Sequence, residues 1–238
     1  MRPFALIAPL TALALIAGGA IAGGVTAQQP KKATAPRDWA AYVVQAPSGA
    51  FIIGNPGAPV RLVEYLSYTC GSCAQFMAEA KVPLKDGYVR RGAVRIEVRH
   101  AVRDPIDMAA ALLARCAGPG GFVSATDAIF AEQRDWARRG AAWWSANAAA
   151  LQSETRLMQL KAAAEGSGLS TLMRGRGMSD ATIDRCFATP TDLNRLTAMA
   201  DASWKVIKGT PTFVINGKTG GGGHWETLEP QLRAAGAR

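Results

Sequence analysis

The sequence predicts an α/β fold whose strands are interrupted by a long, all-helical insertion. Apolar stretches typical of strands lie at residues 51–66 and 93–100, and a third follows at 212–218. Between the second and the third, over about a hundred residues from Pro105 to Val206, apolar side chains recur at helical spacing. Residues 60–100 predict a strand–helix–strand unit, in which the helix crosses over between two parallel strands. This unit places the protein in the α/β class.

The strand–helix–strand unit occupies the first half of the chain. Phe51–Ile53, followed by a Gly/Asn/Pro turn, predicts a first strand, and Val60–Leu66 is so continuously apolar that it predicts a central one. A helix is expected from Cys70 to about Arg91, kinked at Pro83. Residues 93–100 then alternate between apolar and polar, as in a strand with one solvated face.

The remaining elements follow from periodicity and turn residues. Thr212–Lys218 predicts a strand that turns at Asn216-Gly217, and Trp225–Ala234 a terminal helix. Asp38–Val44 fits either a short helix or an extended arm. Within the insertion we predict helices at Met108–Cys116, Phe122–Arg139, Ala146–Gly166, Ala181–Phe187 and Thr191–Val206.

The first 27 residues have the pattern of a secretory signal peptide. Arg2 precedes an apolar stretch over residues 4–25, and the small residues ending at Ala27 suit a cleavage site. The stretch is nearly long enough to span a bilayer, so an uncleaved membrane anchor is the alternative. We favour cleavage, because Pro9 and several glycines weaken a spanning helix. Residues 28–47 would form a leader, and the mature protein would lie in the periplasm or another exported compartment.

The net charge of +9 makes the protein basic. A basic balance can reflect binding to nucleic acid, anionic membranes or acidic substrates, but we interpret it as the general charge of a basic secreted protein. The sequence has no Lys/Arg run with interleaved aromatic residues, the pattern typical of nucleic-acid binding. We therefore expect no nucleic-acid partner.

Four cysteines are present, at positions 70, 73, 116 and 186. An even number in an exported chain predicts disulfide bonds. Cys70 and Cys73 are close enough to bond to each other, which leaves Cys116 with Cys186. We interpret that second bond as structural; the alternative is a second redox pair.

Cys70-Gly71-Ser72-Cys73 is the strongest chemical signal. Cys70 lies at the start of a predicted helix, where free N–H groups and the helix dipole stabilise a thiolate. Cys73, one turn further, can attack a mixed disulfide formed on Cys70, which is thiol–disulfide exchange. A zinc site would need further close ligands, and neither the other cysteines nor the histidines supply such a pair. We predict no metal and no cofactor.

Three further residues are candidates for the site, and His100 is not. Glu64, within the central strand, is either a buried acid that takes the proton of Cys73 or a strand-edge side chain facing water. Thr210–Pro211 precedes the third strand; if the bond is cis, the Thr210 backbone is free to pair with an extended substrate. The alternative is an ordinary trans proline. His100 is expected to make a local hydrogen bond in its strand.

These motifs resemble the DsbA family of exported thiol–disulfide oxidoreductases, which have a thioredoxin-like fold interrupted by a helical domain. The resemblance implies a thioredoxin-like domain at 48–104 and 207–238 and a helical insertion at 105–206. It also implies an attacking Cys70, a resolving Cys73, a cis Pro211 and a buried acid at Glu64. The matching segments are Gly54–Val60, Val63-Glu64-Tyr65, Ser67–Cys73 and Gly209–Gly217.

One departure from the family concerns the dipeptide between the cysteines. The most oxidising members carry Pro-His there, and this chain has Gly71-Ser72. The histidine helps to hold the thiolate, so we expect weaker oxidising power. The predicted function is a monomeric dithiol oxidase acting on unfolded or folding secreted proteins, reoxidised by a quinone-linked membrane partner. The alternatives are a reductase or isomerase, or a non-catalytic binding or chaperone-like module.

Overall fold

The computed structural model describes residues 37–238, so the predicted signal peptide and residues 28–36 of the predicted leader lie outside the described residues. The described chain forms a six-stranded sheet in the order β1-β2-β4-β3-β5-β6. The predicted α/β class is confirmed. The strands are β1 (Val43–Gln45), β2 (Phe51–Ile53), β3 (Val60–Leu66), β4 (Val94–His100), β5 (Thr212–Ile215) and β6 (Lys218–Thr219).

Strand β3 lies inside the sheet, as its apolar run predicts. It pairs in parallel with β4, where Glu64 is opposite Val98, and antiparallel with β5, where Glu64 is opposite Phe213. The parallel pairing confirms the predicted crossover between β3 and β4. It also brings the C-terminal strand β5 beside the strand that leads into the cysteine pair.

The segment left undecided by the sequence divides into two short elements. A 3₁₀ turn at Trp39–Ala41 is capped by Asp38, whose carboxylate accepts a hydrogen bond from the N–H of Ala40, and β1 follows. Strand β1 pairs antiparallel with β2 and forms one edge of the sheet.

The helix that begins after Cys70 changes its winding where a kink was predicted. Helix α1 (Gly71–Ala80) passes directly into a π-helical segment, Lys81–Val89, which contains Pro83. A proline has no N–H to donate and its ring crowds the preceding turn, so the regular α pattern cannot pass through it. The wider π turns keep the segment helical and end it close to the predicted residue.

The insertion is helical but more divided than the periodicity predicts. The predicted helix at 122–139 is two helices, which meet at Glu132, and the one predicted from Ala146 begins only after the cap residue Thr155. Gly168, at φ +82°, separates that helix from the short helix that follows, because a residue in the left-handed conformation ends an α-helix. The helices are α2 (Pro105–Cys116), α3 (Gly118–Ala131), α4 (Gln133–Asn147), α5 (Arg156–Ser167), α6 (Leu169–Gly175), α7 (Asp180–Cys186) and α8 (Pro190–Trp204).

The sheet and the helices share one hydrophobic core. Helix α2 is buried from Ile106 to Arg115, and Phe122 of α3 stacks on Phe51 of β2 with ring centroids 3.8 Å apart. Helix α9 (Trp225–Ala234) completes the described chain and buries Leu228 and Leu232. Among residues 37–238, no helix combines the length and the apolar character needed to cross a membrane. The domain boundaries at 104/105 and 206/207 stay predictions.

Candidate active site

A short loop, Ser67–Cys70, links the end of β3 to the start of α1. Cys70 is extended (φ −86°, ψ 116°) and is the N-cap of the helix. Its carbonyl accepts the hydrogen bond of the Ala74 N–H at 3.1 Å, the first turn of α1. The side chain therefore lies at the end of the helix where backbone N–H groups have no intrahelical acceptor, and these groups favour an anion.

The two thiols of the Cys-x-x-Cys are not bonded to each other and both are buried. The pKa of Cys70 is lowered to about 5. The main cause is a hydrogen bond from the Cys73 thiol; the Cys73 backbone and the charge of Arg103 act in the same direction, whereas burial opposes them. The pKa of Cys73 is raised, because its proton is shared with Cys70 and because it is buried. These shifts favour a thiolate at Cys70 and a protonated thiol at Cys73.

Thr210 and Pro211 lie directly against this pair. The Thr210–Pro211 peptide bond is cis, and the Thr210 carbonyl oxygen is 3.1 Å from the sulfur of Cys70. The two residues are 140 positions apart in the sequence. They meet because β5, which starts immediately after Pro211, pairs with β3, which ends just before the Cys70 loop.

Glu64 is buried and does not face water at a strand edge. Only 5% of it is exposed, its Oε1 atom has no hydrogen-bond partner among the described residues, and burial raises its pKa to about 8. It lies on a cavity of about 50 Å³ with mainly apolar walls. In the described part of the chain no hydrogen bond joins it to Cys73.

Gly71 and Ser72, between the cysteines, are both exposed on the first turn of α1. A Cβ atom added at Gly71 would meet no atom of the described part of the chain within 4 Å. This turn is therefore open to a partner molecule on the side where Cys70 is presented.

Cys116 and Cys186 are joined by a disulfide bond that links the ends of α2 and α7, with Cα atoms 5.4 Å apart. The bond closes a loop of 70 residues within the insertion.

The prediction for His100 is wrong. The ring is buried, and neither ring nitrogen has a hydrogen-bond partner within residues 37–238. It lies beside the rings of Tyr68 and Phe122, with centroids 5.3 Å and 6.1 Å away. Burial lowers its pKa to about 3, so it is neutral at physiological pH and packs as an aromatic side chain.

Sequence reasoning missed two buried side chains of the insertion that bind the Cys70 loop. Asp107 of α2 accepts hydrogen bonds from the Ser67 hydroxyl at 2.6 Å and from the Tyr68 N–H at 2.8 Å. Gln133, the first residue of α4, donates through Nε2 to the carbonyls of Tyr68 at 2.8 Å and Cys70 at 2.7 Å. Asp107 directly precedes the helix predicted at Met108–Cys116, which was a weak signal; nothing in the sequence marks Gln133.

Two further contacts bind the same loop to the insertion. The Thr69 hydroxyl donates to Asp104, the N-cap of α2, at 2.6 Å. The Tyr68 hydroxyl and the Thr126 hydroxyl of α3 are 2.8 Å apart. Each residue of the loop from Ser67 to Cys70 therefore has a partner among the side chains of α2, α3, α4 or the α2 cap.

A sheet of this order, a Cys-x-x-Cys at the first helix after the central strand and a cis-proline facing it define a protein of the thioredoxin-fold class with a helical insertion. The sequence model of the family described as Thioredoxin matches residues 47–233, and the chain belongs to that family. The motifs predict the fold of DsbA proteins, and solved structures to which the chain is similar confirm that fold.

One of these structures is described as the protein-disulfide isomerase from Novosphingobium aromaticivorans. It is 36% identical, with a TM-score of 0.71, and the match covers 77% of this chain and 95% of that one. Another is Wolbachia pipientis alpha-DsbA1, 20% identical with a TM-score of 0.58, covering 80% of this chain and 92% of that one; it shows the shared fold.

Among curated proteins, a Rickettsia felis protein named "Putative protein-disulfide oxidoreductase" is 34% identical over 87 residues. The match covers 36% of this chain and 31% of the relative. The chain thus spans about a third of the length of the curated relatives it matches.

Proposed function

We propose that the protein is a thiol–disulfide oxidoreductase, and that it acts as a dithiol oxidase on folding secreted proteins. The observation that carries the proposal is the unequal acidity of the two thiols. A pKa of about 5 keeps Cys70 ionised at neutral pH, whereas the pKa of Cys73 is raised. Stabilising the Cys70 thiolate stabilises the reduced dithiol, and a stable reduced form makes the corresponding disulfide a better oxidant.

The reaction follows from this asymmetry. A substrate thiolate attacks Cys70 of the Cys70–Cys73 disulfide, and a mixed disulfide forms while Cys73 leaves and takes up a proton. A second substrate thiolate then attacks the substrate sulfur and expels Cys70 as a thiolate. The substrate gains a disulfide and the enzyme gains two electrons. The low pKa of Cys70 makes it a good leaving group in the second step.

Substrate recognition at Thr210 and proton transfer at Glu64 complete the proposal. An extended substrate would pair its backbone with that of Thr210, whose carbonyl lies 3.1 Å from the Cys70 sulfur. Glu64, with a pKa of about 8, gains and loses a proton near neutral pH and would exchange it with Cys73.

Export and reoxidation belong to the same proposal. The signal-peptide pattern of residues 1–27 supports an exported enzyme, in the periplasm or held at a membrane by that segment. The reduced pair would be reoxidised by a membrane partner that passes the electrons to quinone. We expect the enzyme to act as a monomer and without a cofactor.

A reductase or isomerase is the second candidate. It is favoured by the name of the 36% identical Novosphingobium structure and by Gly71-Ser72 in place of a histidine-containing dipeptide. Such an enzyme would start from the dithiol, with Cys70 attacking a substrate disulfide.

Three measurements on the wild type and on Cys70→Ala distinguish the candidates: oxidation of a dithiol peptide, reduction of insulin, and the equilibrium constant of the cysteine pair with glutathione. An oxidase oxidises the peptide and has a strongly oxidising constant; a strongly reducing constant would instead assign the reductase. Equal activity of the wild type and Cys70→Ala in both assays would mean that the disulfide is inert and the protein a binding or chaperone-like module.

A further inference from the structure

Among the hydrogen bonds of residues 37–238, one side chain of the helical insertion, that of Gln133, reaches the backbone of Cys70. We propose that Gln133 is a positioning residue for Cys70: its side-chain amide holds the carbonyls of Tyr68 and Cys70 and thereby sets how α1 presents the sulfur. The inference rests on the proposed function, because it concerns the reactivity of the same thiol.

The amide is held in place before it contacts the loop. Gln133 is buried, with 7% of its surface exposed, and it is the first residue of α4. One turn later in α4, the indole N–H of Trp136 donates to the carbonyl of Ile129 in α3 at 2.7 Å. This hydrogen bond links α3 and α4 close to the residue where they meet. Both hydrogens of the Gln133 amide are then directed at carbonyl oxygens, at 2.8 Å and 2.7 Å.

These two hydrogen bonds orient two peptide planes. The Cys70 carbonyl shares a planar, trans peptide unit with the N–H of Gly71, so the two groups point in opposite directions. A donor that fixes the carbonyl also fixes that N–H, which is one of the free N–H groups at the start of α1. The hydrogen bond to Tyr68 does the same for the peptide unit that precedes Thr69.

The charges at the site give the contact its effect on reactivity. A carbonyl oxygen carries a partial negative charge, which disfavours a thiolate nearby. The Gln133 amide places two positively polarised hydrogens on these oxygens, in a buried site where such interactions are strong. Without the amide, the Tyr68 and Cys70 carbonyls each lose a donor, the orientation of their peptide units is less constrained, and the Cys70 thiolate loses part of its stabilisation.

The test is the pH dependence of Cys70 alkylation in a Cys73→Ser parent, compared with the same parent carrying Gln133→Ala or Gln133→Met. The methionine variant keeps the volume and removes the donors, so it remains folded if alanine leaves too large a cavity. Leu160→Ala is the control, because Leu160 is fully buried in α5 and cannot hydrogen-bond to the loop. Thermal melts are recorded for every variant.

We expect both Gln133 variants to raise the alkylation midpoint by about half a pH unit or more, which is roughly a threefold loss of thiolate stability. With Cys73 restored, Gln133→Met should shift the glutathione equilibrium at least threefold toward a weaker oxidant. Leu160→Ala should lower the melting temperature and leave the midpoint unchanged.

If Cys70 of the Cys73→Ser parent has an acidic alkylation midpoint and Gln133→Met leaves that midpoint unchanged, the inference is overturned. Gln133 then contributes packing only, and the proposed function stands. A parent that titrates like an ordinary cysteine would overturn the proposed function itself, and the inference with it.

Discussion

The reactivity of Cys70 toward an alkylating reagent such as iodoacetamide should follow an acidic pKa. In Cys73→Ser, Cys70 is the one cysteine left outside the Cys116–Cys186 disulfide, and the serine hydroxyl keeps a hydrogen-bond donor next to it. The pKa of Cys70 is lowered from 9.0 to about 5. The rate of alkylation should therefore level off above about pH 6.

The size of the effect is largest at low pH. At pH 5 about half of Cys70 is ionised, against about one part in ten thousand of a thiol with pKa 9, a roughly 5,000-fold excess of thiolate. A less basic thiolate is intrinsically less nucleophilic, by about 40- to 100-fold over this difference in pKa. The net prediction is that Cys70 reacts about 50- to 120-fold faster at pH 5 than a cysteine in a short peptide.

Cys73→Ala is the matched comparison. The hydrogen bond from residue 73 is the main cause of the lowered pKa of Cys70, so its loss should move the midpoint upward relative to Cys73→Ser. A rate that climbs about tenfold per pH unit from pH 5 to 8, as for an ordinary thiol, would refute the reasoning. A sulfur that does not react at any pH would refute it as well.

Three further predictions concern the stability of the fold. Folding raises the pKa of Glu64, so the folded state holds a proton that the unfolded state releases. The free energy of unfolding should therefore fall by about 1 kcal/mol per pH unit between about pH 5 and 8. Urea unfolding of Glu64→Gln should show a weaker dependence on pH. Removing the second disulfide with Cys116→Ala/Cys186→Ala should cost about 4 kcal/mol of stability for its loop of 70 residues. The variant should oxidise a dithiol peptide as fast as the wild type. If the variant is fully folded but has lost this activity, the Cys116–Cys186 pair is redox-active. Asp107→Asn should lower the free energy of unfolding by about 1–3 kcal/mol, because one acceptor replaces two; an unchanged value would argue against the Ser67 and Tyr68 contacts.

Local patterns predict most of the fold of this chain. Strand β4 alternates along its whole length, and its buried and partly exposed positions alternate in the same way. The apolar run of β3 predicts a central strand, and the crossover to β4 predicts the parallel pairing. Periodicity fails where helices meet, because two short helices and one long helix share the same spacing of apolar residues, as at Glu132 between α3 and α4.

The candidate site was likewise predictable only in part. Cys70 and Cys73 are recognisable from the sequence, because a Cys-x-x-Cys at the first turn of a helix depends only on neighbouring residues. The burial of Glu64 could not be decided from the sequence, and the unpartnered ring of His100 was predicted wrongly, because both depend on what packs above the strand.

The α/β class, the position of the thiols at a helix N-terminus and the placement of a helical block between strands can be read from the sequence. Each follows from hydrogen bonding and side-chain spacing within a few turns of backbone. The contact of the Thr210 carbonyl with Cys70, and the binding of the Cys70 loop by Gln133 and Asp107, became known from the three-dimensional structure. Those contacts join residues far apart in the chain, and they exist because packing of the insertion on the sheet brings them together.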